Sequence, residues 1–314
     1  MVTIGVDLGG TKIAAGVVNE QCELLYKDSV PTGASRPAEE IVADMAKLCR
    51  NVTQKAGVDI KDVGWIGIGS PGSIDRETGM VLYANNLPFN RTPLAGILRG
   101  HWDIPIYVDN DANAAALGEV YAGAAKNCRD VIMVTLGTGV GGGIIIDGKI
   151  YAGFNSNGAE LGHTVIVANG RPCTCGRHGC WEAYASVTGL ILDTREAMLK
   201  NRDSLMWEIQ EGSIDHVSGK TAFIAAKKND PAALEVVRGY CDYVAIGITN
   251  LVNIFQPEVL CVGGAISKEG EYLLTPVRKF VERERYTRYC AQTELKIAAL
   301  GNDAGIIGAA MLGR

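Results

Sequence analysis

Two stretches of the chain constrain its fold more than any other feature. "VTIGVDLGGTKIAAGVV" lies near the start, and "VIMVTLGTGVGGGIII" repeats its pattern in mid-chain. Val6-Asp7-Leu8-Gly9 lines up with Val134-Thr135-Leu136-Gly137, a spacing of 128 residues. Each stretch reads as strand, glycine turn, strand. Each then meets a polar turn, Asn19-Glu20 or Asp147-Gly148, and a further short apolar run. A period this long is far beyond that of a solenoid. It predicts two similar domains, each opening with an antiparallel meander.

Between and after the repeats, helical and strand patterns alternate, the mark of an α/β chain. Ile41, Met45, Leu48 and Val52 form a helical stripe that Gly57 closes. "VGWIGIGSPG" and "IPIYVDND" read as buried strands, the second running into a helix at "ANAAALGEVYAGAA". Residues 232 to 255 read as a long helix that Pro257 forbids to continue. "EVLCVGGAIS" reads as a strand and glycine turn, and "NDAGIIGAAML" as a closing helix of small residues.

Composition excludes several classes. The net charge is −5 with no block of like charge, so no nucleic-acid partner is expected. The most apolar stretch is broken by five glycines and predicts no membrane span. The opening residues show no basic region followed by an apolar one, so no signal peptide is expected. A cytoplasmic location follows, where disulfides are disfavoured. Six of the nine cysteines (Cys22, Cys49, Cys128, Cys241, Cys261, Cys290) then read as small core residues. The other three, Cys173, Cys175 and Cys180, sit in "PCTCGRHGCWE" at C-x-C-x4-C spacing. Three thiolates need a fourth ligand to complete a tetrahedral site, and soft sulfur with one imidazole suits zinc better than an iron–sulfur cluster. The chain offers His101, His163, His178 and His216. Spacing favours His163, since His178 lies inside the cysteine loop where it would crowd the metal. A site with four protein ligands has no open position and is structural. It would place Glu160 and Glu182 near one point.

The glycine turns are candidate phosphate sites. "DLGGTK" is neither a P-loop nor a dinucleotide fingerprint, because its turn joins two strands. Its backbone N–H groups, Thr11 and Lys12 can still meet a phosphate, and "LGTGVGGG" offers a second such turn. "VDNDAN" sets Asp109, Asn110 and Asp111 where a strand meets a helix. One of these aspartates could simply cap the helix. Phosphorylation of a hydroxyl needs a carboxylate that accepts the hydroxyl proton.

These motifs together carry a resemblance over nearly the whole chain. "GVDLGGTK" with "LGTGVGGG" is similar to the phosphate motifs of the actin, sugar kinase and heat-shock chaperone superfamily. "CTCGRHGCWE", with "VDNDANAAALGE" and "GAELGH", resembles the ROK family (repressors, open reading frames, kinases), nearest to its bacterial glucokinases. The resemblance implies two actin-like (ribonuclease H-like) α/β domains with a ligand cleft between them. The first domain would span residues 1 to 112, rejoined by a closing helix at 300 to 314, and the second 113 to 299. The implied reaction is ATP-dependent phosphorylation of the 6-hydroxyl of a hexose, glucose first, with N-acetylglucosamine, N-acetylmannosamine, allose and fructose as alternatives. Asp111 would be the base. Asn85, Asn110, Glu160, His163 and Glu182 would contact sugar, with Asn86 an alternative to Asn85. Asp7 would orient Mg²⁺. Gly9, Gly10, Thr11, Lys12, Gly137, Thr138 and Gly139 would meet phosphate, and Gly263 and Gly264 the adenosine side. The resemblance also selects His163 as the fourth zinc ligand beside Cys173, Cys175 and Cys180, and implies a homodimer or a dimer of dimers. ROK repressors carry a helix-turn-helix domain ahead of the kinase-like part. This chain opens directly on its first glycine strand, so a kinase is expected rather than a repressor or a non-catalytic sensor.

Overall fold

The structure, a computed structural model, describes residues 1–314 and is α/β. Its strands are β1 (Val2–Leu8), β2 (Lys12–Val18), β3 (Leu24–Pro31), β4 (Val63–Ser70), β5 (Ser73–Asp75), β6 (Met80–Tyr83), β7 (Asn90–Thr92) and β8 (Ile106–Asn110) in the first part. The second part adds β9 (Val131–Leu136), β10 (Val140–Ile146), β11 (Lys149–Tyr151), β12 (Val259–Gly263) and β13 (Glu294–Ile297). One sheet has the order β3-β2-β1-β4-β8 and the other β11-β10-β9-β12-β13. The two orders correspond strand for strand, so the repeat read from the glycine hairpins extends to the whole of each sheet. β1 pairs antiparallel with β2 and parallel with β4, and β12 pairs parallel with β13. Asp147 and Gly148 both adopt positive φ in the two-residue turn between β10 and β11, the conformation an Asp-Gly hairpin favours.

The chain divides into two compact units. One comprises Met1–Met133, Gly143–Ala159 and Ala298–Arg314, the other Val134–Gly142 and Glu160–Ile297. In the first, Ile4, Val6 and Leu8 of β1 and Ile66 and Ile68 of β4 are fully buried. The helix Ala38–Lys55 buries the expected stripe of Ile41, Met45, Leu48 and Val52. In the second, the helix Pro231–Phe255 buries Val236, Tyr240, Val244, Ile248 and Leu251. It stops at Gln256, whose left-handed backbone (φ 44°) precedes Pro257. No helix is long and apolar enough to cross a membrane.

Two expectations are corrected. The boundary expected at residue 112 moves, because the helix Asp111–Ala122 belongs with the first unit. It is held there by the closing helix Ala304–Ala310 through glycines on both elements. A Cβ on Gly308 would lie 1.6 Å from the Ala114 carbonyl oxygen, and one on Gly118 2.4 Å from that of Ala304. Strand glycines make room for the same helix: a Cβ on Gly5 would lie 1.8 Å from Ile306 O, and one on Gly67 1.7 Å from Ala309 O. Among the six cysteines read as core, Cys22, Cys49, Cys241 and Cys261 are buried, but Cys290 is exposed and Cys128 half-buried. Cys290 stands in the loop between the helix Glu271–Glu284 and β13, where Tyr286 and Tyr289 are exposed as well, so no core reaches this segment.

The closing helix therefore tolerates no added atom at its contact glycines. Gly308→Ala should lower the unfolding free energy by about 1–3 kcal/mol, the range for forced overpacking. Urea unfolding reads this directly, and a variant as stable as the parent would show that the helix seats elsewhere.

Candidate active site

In the first unit the parallel strands β1, β4 and β8 end side by side. Asp7 pairs in register with Gly69, Gly69 with Asp109, and Ser70 with Asn110. Ligand sites of such sheets lie at these carboxyl ends. Beyond Asp7 the first glycine turn is closed by the Gly9 N–H donating to Lys12 O at 2.9 Å. The Thr32 hydroxyl braces it from below, donating to Gly9 O at 2.6 Å. Thr11 and Lys12 stay exposed at its tip. A Cβ on Gly10 would lie 2.9 Å from the Asn86 amide nitrogen. Asn86, the alternative to Asn85, is thus the asparagine that meets this turn, and both side chains are exposed.

The "DND" triplet divides three ways. Asp109, on the last turn of pleat before the helix, is buried against Arg76, whose Nε lies 2.7 Å from its Oδ2. Asn110 is the helix cap: its Oδ1 accepts from Ala112 N at 2.9 Å and Asn113 N at 3.4 Å. The capping role that spacing offered to an aspartate belongs to the asparagine. Asp111 is the first helical residue, and its Oδ1 accepts from Ala112 N at 2.9 Å. No cation pairs with it in the structure's ion pairs. Burial raises the Asp111 carboxyl above the ordinary carboxylate range. Asp7 is raised to about 6, by burial first and then by the charge of Asp111, with Lys12 pulling the other way. Burial likewise raises Asp109, against the opposing pull of Arg76.

In the second unit, the glycine turn between β9 and β10 is the hub. Gly137 N–H donates to Gly139 O at 3.0 Å, and Val187 N–H donates to Gly137 O at 2.8 Å. The Thr188 hydroxyl donates to Thr138 O. Glu182 reaches into this turn: its Oε2 accepts from the Val140 N–H at 3.0 Å. A Cβ on Gly139 would lie 2.3 Å from that same oxygen. Gly162, in the short 3-10 turn Leu161–His163, packs on the other side, where a Cβ would lie 2.1 Å from Val140 O. Gly264, at φ +86°, comes as close to the Leu136 carbonyl (2.5 Å from a Cβ). Gly263, Gly264 and Gly137 are therefore neighbours. Glu160 precedes the 3-10 turn and is exposed.

His163, Cys173, Cys175 and Cys180 converge, with their ligand atoms all within 4.8 Å of one another. Cys173 Sγ is 3.6 Å from His163 Nδ1, and Cys175 Sγ is 3.7 Å from Cys180 Sγ. A zinc–sulfur bond of about 2.3 Å sets a tetrahedral edge of about 3.8 Å, so the donor set fits such an ion. Gly176 and Gly179 make the loop's sharp turns at positive φ. His178 bridges back to Pro172 on the exposed rim and is not one of the four.

Sequence reading missed three features here. Glu182's bond to the turn at residues 137–140 and the Gly162 contact join residues whose separation in the chain hides them. Arg76 stands in an ordinary polar turn, and only the buried Asp109 at a strand end hinted that a cation must be near.

The raised Asp7 carboxyl makes a stability prediction. Between about 3.8 and about 6 the folded chain holds a proton that the unfolded chain has lost, so this group's contribution to stability falls away as pH rises through about 6. Asp7→Asn has no charge to bury. Its melting temperature should exceed the parent's by a few degrees at pH 7.5 in the absence of Mg²⁺ and nucleotide, and the gain should shrink toward pH 4. An unchanged difference across that range would mean that Asp7 is well solvated.

The model of the ROK family matches residues 3–314. A glucokinase of Halalkalibacterium halodurans is 37% identical over 311 residues, covering 98% of this chain and 94% of that protein. A glucokinase of Streptomyces coelicolor is 38% identical over 315 residues, covering 99% and 97%. Among solved structures, a ROK family glucokinase from Streptomyces griseus in complex with glucose and AMPPNP superposes with a TM-score of 0.81 at 38% identity, covering 99% of each chain. With this agreement over its full length, the chain belongs to the ROK family.

Proposed function

We propose that this protein is an ATP-dependent hexokinase that converts glucose to glucose 6-phosphate. The observation that carries the reading is a pair of carboxylates, Asp7 and Asp111, left without a neutralising partner at the strand ends and both raised in proton affinity by burial. Such unbalanced groups mark sites built for chemistry. Glucokinases matching this chain almost end to end support the substrate.

In this reading Asp111 accepts the proton of the sugar's 6-hydroxyl as that oxygen bonds the γ-phosphorus and the bond to ADP breaks. Its raised proton affinity suits a base acting near neutrality. Asn110, Glu160, His163 and Glu182 hold the sugar, with Asn85 or Asn86 beside them. His163 turns Nδ1 toward the thiols, which leaves Nε2 for a sugar hydroxyl. The turns at Gly9 to Lys12 and Gly137 to Gly139 bind the phosphates through the N–H groups that their own closure leaves free, with the Thr11 hydroxyl and the Lys12 ammonium, and the turn at Gly263 and Gly264 takes the adenosine side. Mg²⁺, oriented by Asp7, supplies charge neutralisation on the phosphates when bound. Zinc at His163, Cys173, Cys175 and Cys180 is structural. The enzyme works as a cytoplasmic homodimer at the entrance to glycolysis.

ADP release should be measured with Mg-ATP over glucose, N-acetylglucosamine, N-acetylmannosamine, mannose, allose and fructose. Glucose should lead. Preference for another sugar would move the specificity and keep the mechanism, and silence on all six with sugar binding intact would favour a sensor. Asp111→Asn should lower kcat by about 10²–10⁴-fold, the usual contribution of a general base. Full turnover in that variant would remove Asp111 from the role.

Metal analysis should find about one zinc per chain. Cys175→Ser should lose it together with sugar binding, because the loop that aims His163 and Glu182 loses its anchor. A metal-free protein of full activity contradicts the assignment.

A further inference from the structure

Arg76 lies outside every motif and has no part in the reaction as written so far. The turn that carries it is built with care. Asp75 Oδ1 accepts from Glu77 N at 3.1 Å and Thr78 N at 3.4 Å, and Gly79 N donates to Asp75 O at 2.8 Å. Gly79, at φ +69°, presses the turn onto its neighbours: a Cβ there would lie 2.4 Å from Ala95 Cβ and 3.4 Å from Val108 on β8. From this turn the Arg76 Nε reaches Asp109 Oδ2 at 2.7 Å. The side chain of Asp109 is 3% exposed, whereas that of Arg76 is 37% exposed. The other oxygen of Asp109 accepts twice, from the Asn110 N–H at 2.7 Å and from Asn113 Nδ2 at 2.9 Å. Asn110 in turn caps the helix on which Asp111 is the first residue, and its Nδ2 donates to Gly72 O at 3.3 Å.

We infer that Arg76 is a positioning residue for the phosphoryl transfer: through Asp109 it locks the strand-to-helix turn that aims Asp111. The inference rests on the reading of Asp111 as the base. The guanidinium neutralises one carboxylate oxygen as an ion pair, without an aligned hydrogen bond, while the other oxygen holds both the backbone of Asn110 and the side chain of Asn113. Without the cation, Asp109 is a buried charge with only neutral donors, and it rotates or draws in water. The turn then loses its brace from within. A small error in the placing of a reacting group is enough to slow a reaction by about 10²-fold. Of the sugar ligands proposed above, Asn110 belongs to this network, whereas Glu160, His163 and Glu182 lie outside it, so hexose affinity should fall far less than kcat.

The test compares Arg76→Met, Arg76→Lys, Asp109→Asn and the double variant Arg76→Met/Asp109→Asn with the parent. Each is first checked for folding by its thermal melt. Turnover is measured on the hexose the parent prefers, and the dissociation constant of that hexose by calorimetry. Arg76→Met should lower kcat by about 10- to 100-fold with hexose affinity within about three-fold. Arg76→Lys keeps a cation near Asp109 and should recover part of the loss; it also serves if the methionine variant does not fold. The double variant should be no slower than the slower single variant, since the two residues act as one unit. A folded Arg76→Met variant with kcat within about two-fold of the parent overturns the inference. So do losses that multiply in the double variant, or a hexose affinity that falls in step with kcat, the pattern of a general loosening of the fold. Asp111→Asn is assayed alongside. If that variant turns over normally the base assignment fails, whatever Arg76 does; if it is inactive while Arg76→Met is normal, only the present inference fails.

Discussion

The backbone of one residue, Val140, is held from both sides, and the seating of the second unit's glycine turn depends on that grip. Its N–H donates to the Glu182 carboxylate, and its carbonyl sits where a side chain on Gly162 would stand. A hydrogen bond to a charged acceptor contributes about 1.5–3 kcal/mol, more than an ordinary neutral one. Both gripping residues belong to the thiol-rich segment: Gly162 precedes His163, and Glu182 follows Cys180 by two residues. The cysteine loop and the turn at residues 137–139 are thus one mechanical body. Gly139 completes it, because any side chain there would displace the Glu182 oxygen. The glycines of this turn serve the packing of the carboxylate as well as the approach of a phosphate.

The two sheets put the same topology to different uses. In the first, the residue before the glycine turn is Asp7, a carboxylate that burial would sooner see neutral. In the second, the aligned residue is Thr135, and the acidic group arrives from elsewhere in the chain, as Glu182. Duplication of a meander provides two equivalent turns, and what makes them inequivalent is the long-range partner each acquires. The first turn is braced by Thr32 and touched by Asn86. The second is braced by the helix starting at Val187 and by Glu182.

Much of this was legible in the chain itself. The meanders, the helical stripe on Ala38–Lys55, the stop at Pro257 and the Asp-Gly turn are local patterns, set by side-chain periodicity and by which residues accept positive φ. The cluster of three thiols and an imidazole was legible because three cysteines in a short loop leave few chemical options and the family resemblance pointed to His163. The unit boundary was not. The helix Asp111–Ala122 has small residues on several faces, so its pattern does not say which partner it will take; the choice is made by Gly308 and Gly118, almost 200 residues apart. Nor were Arg76 or the Glu182–Val140 bond legible, since each joins elements that only the tertiary fold brings together. Asn110 as the cap was within reach of propensity rules, which rank asparagine beside aspartate.

The three residues of "DND" show how position sorts chemically similar groups into separate roles. Asp109 still belongs to the strand, so its side chain points into the unit, where a carboxylate persists only with a cation and donors around it. Asn110 has extended backbone and an oxygen that reaches the N–H groups of Ala112 and Asn113; a neutral amide does this while still offering N–H to Gly72. Asp111 has entered the helix, and its carboxylate takes a single backbone N–H from Ala112. It sits at the positive end of the helix dipole, which favours its ionised form, and in a buried setting that opposes it. In the proposed role of base that opposition is useful, because a carboxylate comfortable with its charge would be slow to accept a proton. Pairing Asp111 with a cation would favour its ionised form and lower its proton affinity. The cation goes instead to Asp109, two residues earlier in the chain, where it can stiffen the turn without quenching the group that the turn presents.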